Sequence, residues 1–288
     1  MLCKLCEQDR ELRDSHIIPK FAATWLKDTS ATGYLRGAAN YNLRRQGFPT
    51  RRLLCSECEG LFSRWETQFA ERIFLPYHES GQGEFHYKEW LMHFAISLVW
   101  RTGIAELESF SNYRPHLVPY LEQALSSWRN QLLGESLRFQ PYAHHLLFLD
   151  FVVEAEGLEL PGGFHWYTLR GIDAAIPASN AEVFVYAKLP GMVFFSGVRP
   201  AQPAGWENTQ IYLEGTISAS DQHVTQGTFG EFLLERVRQA WPRLDALSTR
   251  QEQKIIEAMT KNRARTRRSQ SLQVHLAEWL WKRKRGAG

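Results

Sequence analysis

Cysteine is scarce in this chain, with four in 288 residues, too few for the disulfide scaffold of a small secreted protein. Long apolar runs are missing as well. The most apolar stretch, Trp90 to Trp100, has 11 residues, contains His93 and lies between Glu89 and Arg101, whereas a membrane-spanning helix needs about 20. The opening segment MLCKLCEQDREL lacks the apolar core of a signal peptide. These absences predict a cytoplasmic protein with reduced thiols and no membrane partner. No segment recurs at solenoid spacing, which excludes a repeat array.

What is present is globular in composition, with 44% hydrophobic and 23% charged residues. The length allows one large domain or two ordinary ones. The net charge of +3 hides an asymmetry: from Arg250 to Gly288 there are eleven Lys or Arg against three Glu, a net of +8, leaving −5 for residues 1–249. A basic end on an acidic body fits contact with a polyanion, nucleic acid foremost. A solvated charged helix face would read the same way.

Along the chain, the first 75 or so residues are loop-rich and hold every cysteine, and Gly81-Gln82-Gly83 reads as a linker. Residues 87–107 and 114–134 read as helices, the second with Leu117, Leu121, Leu125, Trp128 and Leu132 at helical spacing. Then the pattern changes. His145–Glu154, Phe164–Gly171, Glu182–Leu189, Met192–Val198 and Thr209–Gly215 are short, rich in β-branched or aromatic residues and bounded by turn formers. Leu189-Pro190-Gly191-Met192 predicts a hairpin turn. After Gly230 the helical period returns through Phe232, Leu233, Val237 and Trp241, and two basic helices follow over roughly 249–265 and 271–284. The expected fold class is α+β, divided into 1–80, 84–245 and 246–288.

Cys3-x-x-Cys6 and Cys55-x-x-Cys58 use every cysteine. Two such pairs in a reduced compartment suit a tetrahedral thiolate site for structural zinc, each pair placing two sulfurs about 2.3 Å from one ion. Leu53-Leu54 reads as a short strand, and Gly60 to Arg72 as a helix with Leu61, Trp65 and Phe69 on one side. Two knuckles, the second opening a helix, outline a zinc-bound treble clef, and zinc should supply much of its folding free energy.

Between the knuckles lies Asp14-Ser15-His16-Ile17-Ile18-Pro19. Over its first 75 or so residues the sequence resembles the HNH (His-Asn-His) endonuclease family, in the subset stabilised by a four-cysteine zinc. The resemblance rests on the His-x-x-Pro segment between two knuckles and on the runs SHIIPKF and LLCSECEGLFSRWE. It implies a ββα-metal module and a one-metal phosphodiesterase acting on DNA. His16 would be the general base, Asn40 or Asn42 would orient its imidazole, and a Mg²⁺ or Mn²⁺ ion would stabilise charge on the phosphate. The sequence departs from the family at the metal ligands, with Ser15 where Asp is usual and Glu59 where His is usual. Glu59 is a hard oxygen donor suited to Mg²⁺ or Mn²⁺, and Glu66, seven residues on, shares its helix face. Stand-alone nucleases of this kind commonly serve in restriction-like or antiphage defence.

Arg36, Arg44, Arg45, Arg51 and Arg52 lie between His16 and Cys55, and Lys261, Arg263, Arg265, Arg267 and Arg268 form a dense run near the end. Both sets are candidates for phosphate contact. Trp279 and Trp281, beside the block Lys282 to Arg285, could stack on bases. Leu276 and Leu280 with a Trp equally make the buried stripe of a terminal helix. His144, His145 and His165 fall in expected strands, where neighbours point to opposite faces, and receive no role. Two functions are carried forward: a metal-dependent DNA endonuclease, and a catalytically inactive zinc-stabilised adaptor that binds nucleic acid or protein. A protein partner or self-association is compatible with either.

Overall fold

A computed structural model describes the chain except residues 38, 39, 46, 135–140, 152–159, 245, 246 and 286–288, and except the side chains of residues 241–244, 282, 284 and 285. The first elements are β1 (Leu12–His16), α1 (Lys20–Asp28), β2 (Leu35–Gly37), β3 (Asn40–Arg45), β4 (Thr50–Cys55) and α2 (Ser56–Phe69). Next come β5 (Glu84–Tyr87), α3 (Glu89–Tyr113), α4 (Val118–Leu132), β6 (His144–Phe148), α5 (Phe164–Arg170), β7 (Asp173–Ala175), β8 (Val183–Leu189) and β9 (Met192–Arg199). Three short strands, β10 (Trp206–Glu207), β11 (Gly215–Ser218) and β12 (His223–Val224), precede the helices α6 (Gly227–Leu244), α7 (Thr249–Lys261), α8 (Arg263–Arg268) and α9 (Gln270–Arg285). The protein is thus mixed helix and sheet, with small antiparallel sheets and an N-terminal cysteine cluster. No described helix is long and apolar enough to cross a membrane.

By packing, the chain divides into two units that interleave in sequence. The first comprises Met1–Pro19, Pro49–Phe148 and Asp173–Gln226; the second comprises Lys20–Phe48, Leu149–Ile172 and Gly227–Gly288. This grouping cuts across a linear division at residues 80 and 245.

The core of the first unit is a four-stranded antiparallel sheet in the order β6-β9-β8-β7. The Pro190-Gly191 turn joins β8 to β9, with Gly191 at φ 65°, a left-handed backbone that glycine adopts without a side-chain clash. Both strands are buried along nearly their whole length, so they read as continuous apolar runs and not as alternating ones. Helix α3 packs on β8 and β9 and against α2 and α4. Phe69, Phe94 and Phe194 meet at the centre, with ring centroids 4.1–5.4 Å apart. A methyl group at Gly103 would lie 2.5 Å from Leu125, so that glycine sets how closely α3 and α4 approach. Helix α2 runs on through two π-helical turns to Ser80 and stops at Gly81, φ 66°.

In the second unit, β2 and β3 form a hairpin, and α5 packs against α6 and α9. Phe164–Gly171 is a helix, α5, and not the strand that its aromatic and β-branched composition predicts. Most of its residues are buried, and the carboxylate of Glu278 meets the N–H groups of Gly163 and His165 at its start. Tertiary contact overrides local propensity there. In the first unit, Thr209–Gly215 forms no ladder beyond the bridge from Gln210 to His145, and β11 starts at Gly215. On α9 the buried positions are Val274 and Glu278, whereas Leu276, Trp279 and Leu280 are about half exposed. The end of the strand expected over 145–154, the side chain of Trp241 and those of Lys282, Lys284 and Arg285 lie outside the described residues.

Candidate functional site

The two knuckles are built by backbone hydrogen bonds. The Cys3 N–H donates to Gln8 O at 3.0 Å and the Glu7 N–H to Cys3 O at 2.9 Å, with Glu7 in left-handed backbone at φ 56°. Strand β1 pairs with β4 through a bulge at Leu53, and the Leu53 carbonyl accepts from Lys4 N–H at 2.9 Å, joining the first knuckle to the second. The Cys55 N–H donates to Cys3 Sγ at 3.3 Å. From α4, Arg129 donates to Leu5 O at 2.5 Å and pairs with Glu7 at 3.1 Å, clamping the first knuckle from outside.

All four Sγ atoms lie within 4.8 Å of one another, and Cys6 and Cys55 are 3.9 Å apart. Tetrahedral ligation with metal–sulfur bonds of about 2.3 Å separates sulfurs by about 3.8 Å. The four thiols therefore can hold a metal ion such as zinc with little rearrangement. Burial, followed by hydrogen bonding with the neighbouring thiols, pushes the Cys58 thiol strongly upward. Burial also acts to raise Cys3, but N–H donors from Cys6, Cys55 and Leu5 outweigh it and leave that thiol at about 7. Crowded sulfurs cannot all ionise unaided, and a bound dication removes that cost. Among the described residues this is the one group of three or more Cys, His, Asp or Glu that converges.

His16 ends β1, opposite Thr50. Its imidazole is half-buried, and no described residue hydrogen-bonds to it. Trp65 stacks on His93, 4.7 Å between centroids. Along β1, whose register shifts at the bulge, Ser15 is buried completely and Asp14 is exposed. Ser15 Oγ accepts from Leu54 N–H at 3.2 Å, a structural bond within the β1–β4 pair. Glu59, in the first turn of α2, is half-buried, and its Oε1 is buried with no hydrogen-bond partner among the described residues. Glu66 lies 2.7 Å from Nη1 of Arg101, a residue of α3 that is 1% exposed. The same Nη1 donates to the His16 carbonyl at 2.9 Å. Arg101 carries no motif that marks it. Its one signal in the sequence is a lone cation at the end of the longest apolar run.

The other candidates divide between the units. Arg51 and Arg52 share the first with His16. Arg51 donates to Ala105 O at 2.7 Å, and Arg52 is exposed beside Asp14 in the ladder. Asn40, Asn42, Arg36, Arg44, Arg45 and the basic run Lys261 to Arg268 belong to the second. There Asn40 Oδ1 accepts from the Asn42 N–H, and Asn42 Oδ1 from the Ser248 N–H, at 2.9 and 2.8 Å. Arg36 donates to Tyr41 O, and burial beside Arg44 lowers its pKa. Arg44 lies 4.7 Å from the centroid of the Tyr34 ring; it and Arg45 are exposed. Arg265 donates to the carbonyls of Ser30 at 2.9 Å and Lys27 at 2.5 Å, closing the C-terminal end of α1, where Arg170 donates to Leu26 O at 3.0 Å. Lys261, Arg263, Arg267 and Arg268 are exposed.

The three histidines without an expected role are all buried. His144 Nδ1 bonds Ser196 Oγ at 2.6 Å and His145 Nδ1 bonds Thr209 Oγ1 at 2.9 Å. His165, on α5 and not on a strand, bonds Glu278 at 2.7 Å, stacks on Phe151 and meets the edge of Trp281. No known protein family matches the chain, and neither does any curated protein or solved structure.

Proposed function

We propose that the β1–β4–α2 segment is a treble clef organised by structural zinc, and that it works as an HNH-type endonuclease cutting DNA. The observation that carries this is the state of His16: a half-buried imidazole with no described hydrogen-bond partner, at the end of a strand tied directly to the metal knuckles. Its ring nitrogens are not among the buried unpartnered atoms, so the imidazole is open to a water molecule, as a general base must be. His16 takes the proton of the attacking water, the water oxygen bonds to phosphorus, and the P–O bond to the leaving oxygen breaks. Glu59, whose Oε1 has no partner among the described residues, is the carboxylate that would hold Mg²⁺ or Mn²⁺; such an ion would supply charge neutralisation at the phosphate and leaving oxygen. Exposed Arg44, Arg45, Arg52, Lys261, Arg263, Arg267 and Arg268 supply phosphate contacts that carry no sequence preference.

The adaptor function is favoured by one specific pair of observations. Ser15 is buried in a backbone hydrogen bond, and Glu66 is the counter-charge of Arg101, so the ligand set around Glu59 is sparse. Cleavage of supercoiled plasmid with Mg²⁺ or Mn²⁺ separates the two. The native protein nicks the plasmid, and His16→Ala with equal zinc content loses at least about 100-fold in rate. Cleavage that survives the substitution removes His16 as the base. Retention of DNA in a gel shift, with no cutting by either protein, establishes the adaptor.

A further inference from the structure

Helix α3 is buried without interruption from Phe94 to Gly103, and Arg101 is the one charged residue in that run. A guanidinium in such a place costs several kcal/mol unless its surroundings match it. Here they match in a definite way. Nε donates back to Ser97 O at 3.2 Å, Nη1 bridges the His16 carbonyl at 2.9 Å and the Glu66 carboxylate at 2.7 Å, and the guanidinium carbon lies 5.1 Å from the centroid of the Phe62 ring. One atom, Nη1, therefore links the last residue of β1 to the middle of α2. Nη2 is buried and has no partner among the described residues.

We propose that Arg101 is a positioning residue for His16, fixing the backbone from which the imidazole projects relative to the helix that carries Glu59; this rests on the hydrolytic function proposed above. His16 is the last residue of the β1–β4 ladder, opposite Thr50, and beyond it the chain leaves β4. The hydrogen bond from Arg101 to the His16 carbonyl ties this strand end to α3, and Glu66 holds the guanidinium in place to make it. A general base must lie within hydrogen-bond reach of the water it deprotonates, so a shift of about 1 Å in the backbone can cost about 100-fold in rate.

The test compares full-length native protein with Arg101→Met and Arg101→Lys. Metal content, cleavage kinetics and the imidazole resonances of His16 by NMR are measured on each. Arg101→Met is expected to keep the metal of the four cysteines and a KM within about twofold, to lose about 100-fold in kcat, and to move the His16 resonances. Arg101→Lys, which restores one donor, is expected to recover to within about tenfold of native kcat. Full kcat in Arg101→Met overturns the proposal, as does a loss confined to KM, or a loss of kcat with the His16 resonances unmoved. If Arg101→Met does not fold, Arg101→Lys decides by the same readouts. If the native protein does not cut at all, the hydrolytic function falls and the resonances alone judge Arg101: displacement in the variant supports positioning, and its absence refutes it.

Discussion

The two units bury charge for different ends. In the second, two buried charges and one half-buried charge close helices with the chain's own atoms. Glu278 meets the N–H groups at the start of α5, and Arg170 and Arg265 meet the last carbonyls of α1. Anion at the N-terminus and cation at the C-terminus is the arrangement the helix dipole favours. In the first unit, Arg101 is matched by Glu66 and a strand carbonyl, whereas the four thiols converge on one another and could hold a metal ion. The second unit thus pairs these charges internally, whereas the first has a thiol cluster that could take a cation from outside.

Metal removal should break the comparison most sharply. A strong chelator, or Cys58→Ser, withdraws a binding free energy on the order of 10 kcal/mol. Amides of β1, β4 and the start of α2 should lose their protection against hydrogen exchange, while those of α5 and α9 keep theirs. Equal loss in both units would mean that the second is not self-sufficient. Unchanged protection in β1 and β4 would remove zinc from the folding of the first.

Acid should separate the units again, with a smaller effect. Burial holds His144 at about 3 and His145 at about 4, below the usual histidine value. Both are neutral when folded and bind protons more readily when unfolded. The stability of the first unit should therefore fall as pH drops below about 6.5, by about 1.4 kcal/mol per pH unit for each histidine, until the folded pKa is reached. Glu278 behaves otherwise. Burial acts to raise its pKa, but hydrogen bonds from His165 and from the Gly163 and His165 N–H groups outweigh it and hold the carboxyl below its ordinary range. Its contribution is present above about pH 4.5 and is lost only as pH falls through the lowered value. Exchange protection measured at pH 7 and pH 5 should show β6 and β9 weakening while α5 holds. His145→Gln should remove about half of the slope in the first unit, and an unchanged slope would assign the acid sensitivity elsewhere.

How far the sequence announced these features depended on whether the cause was local. The paired CxxC motifs marked the cysteine cluster because each knuckle is built from neighbouring residues. The β8–β9 hairpin was legible in Pro190-Gly191, and α4 in Leu121, Leu125, Trp128 and Leu132 with Leu117 just before it, all of them buried. Segment Phe164–Gly171 was misread because its helix depends on a carboxylate more than a hundred residues away. The buried side of α9 was misread for a related reason, since Glu278 faces inward only where His165 receives it. Arg101 left almost no trace, because its targets are a backbone carbonyl and one glutamate, neither of which has a sequence pattern.

The basic run near the end offers the finest test, because its arginines read alike in sequence and differ in surroundings. Arg265 has carbonyl partners at the end of α1, whereas Arg267 and Arg268 are exposed. Arg265→Met should lower the thermal midpoint by the equivalent of about 1–2 kcal/mol, the worth of charge-assisted bonds at a helix terminus. It should leave the salt dependence of the proposed DNA binding unchanged. Arg267→Ser with Arg268→Ser should do the reverse, holding the midpoint while reducing the slope of log affinity against log salt by about 0.9 for each phosphate no longer neutralised. A change in slope with Arg265→Met would mean that its guanidinium leaves α1 to meet DNA. An unchanged slope in the double variant would mean that the exposed cations keep the helix solvated, and that DNA, if bound, is held elsewhere.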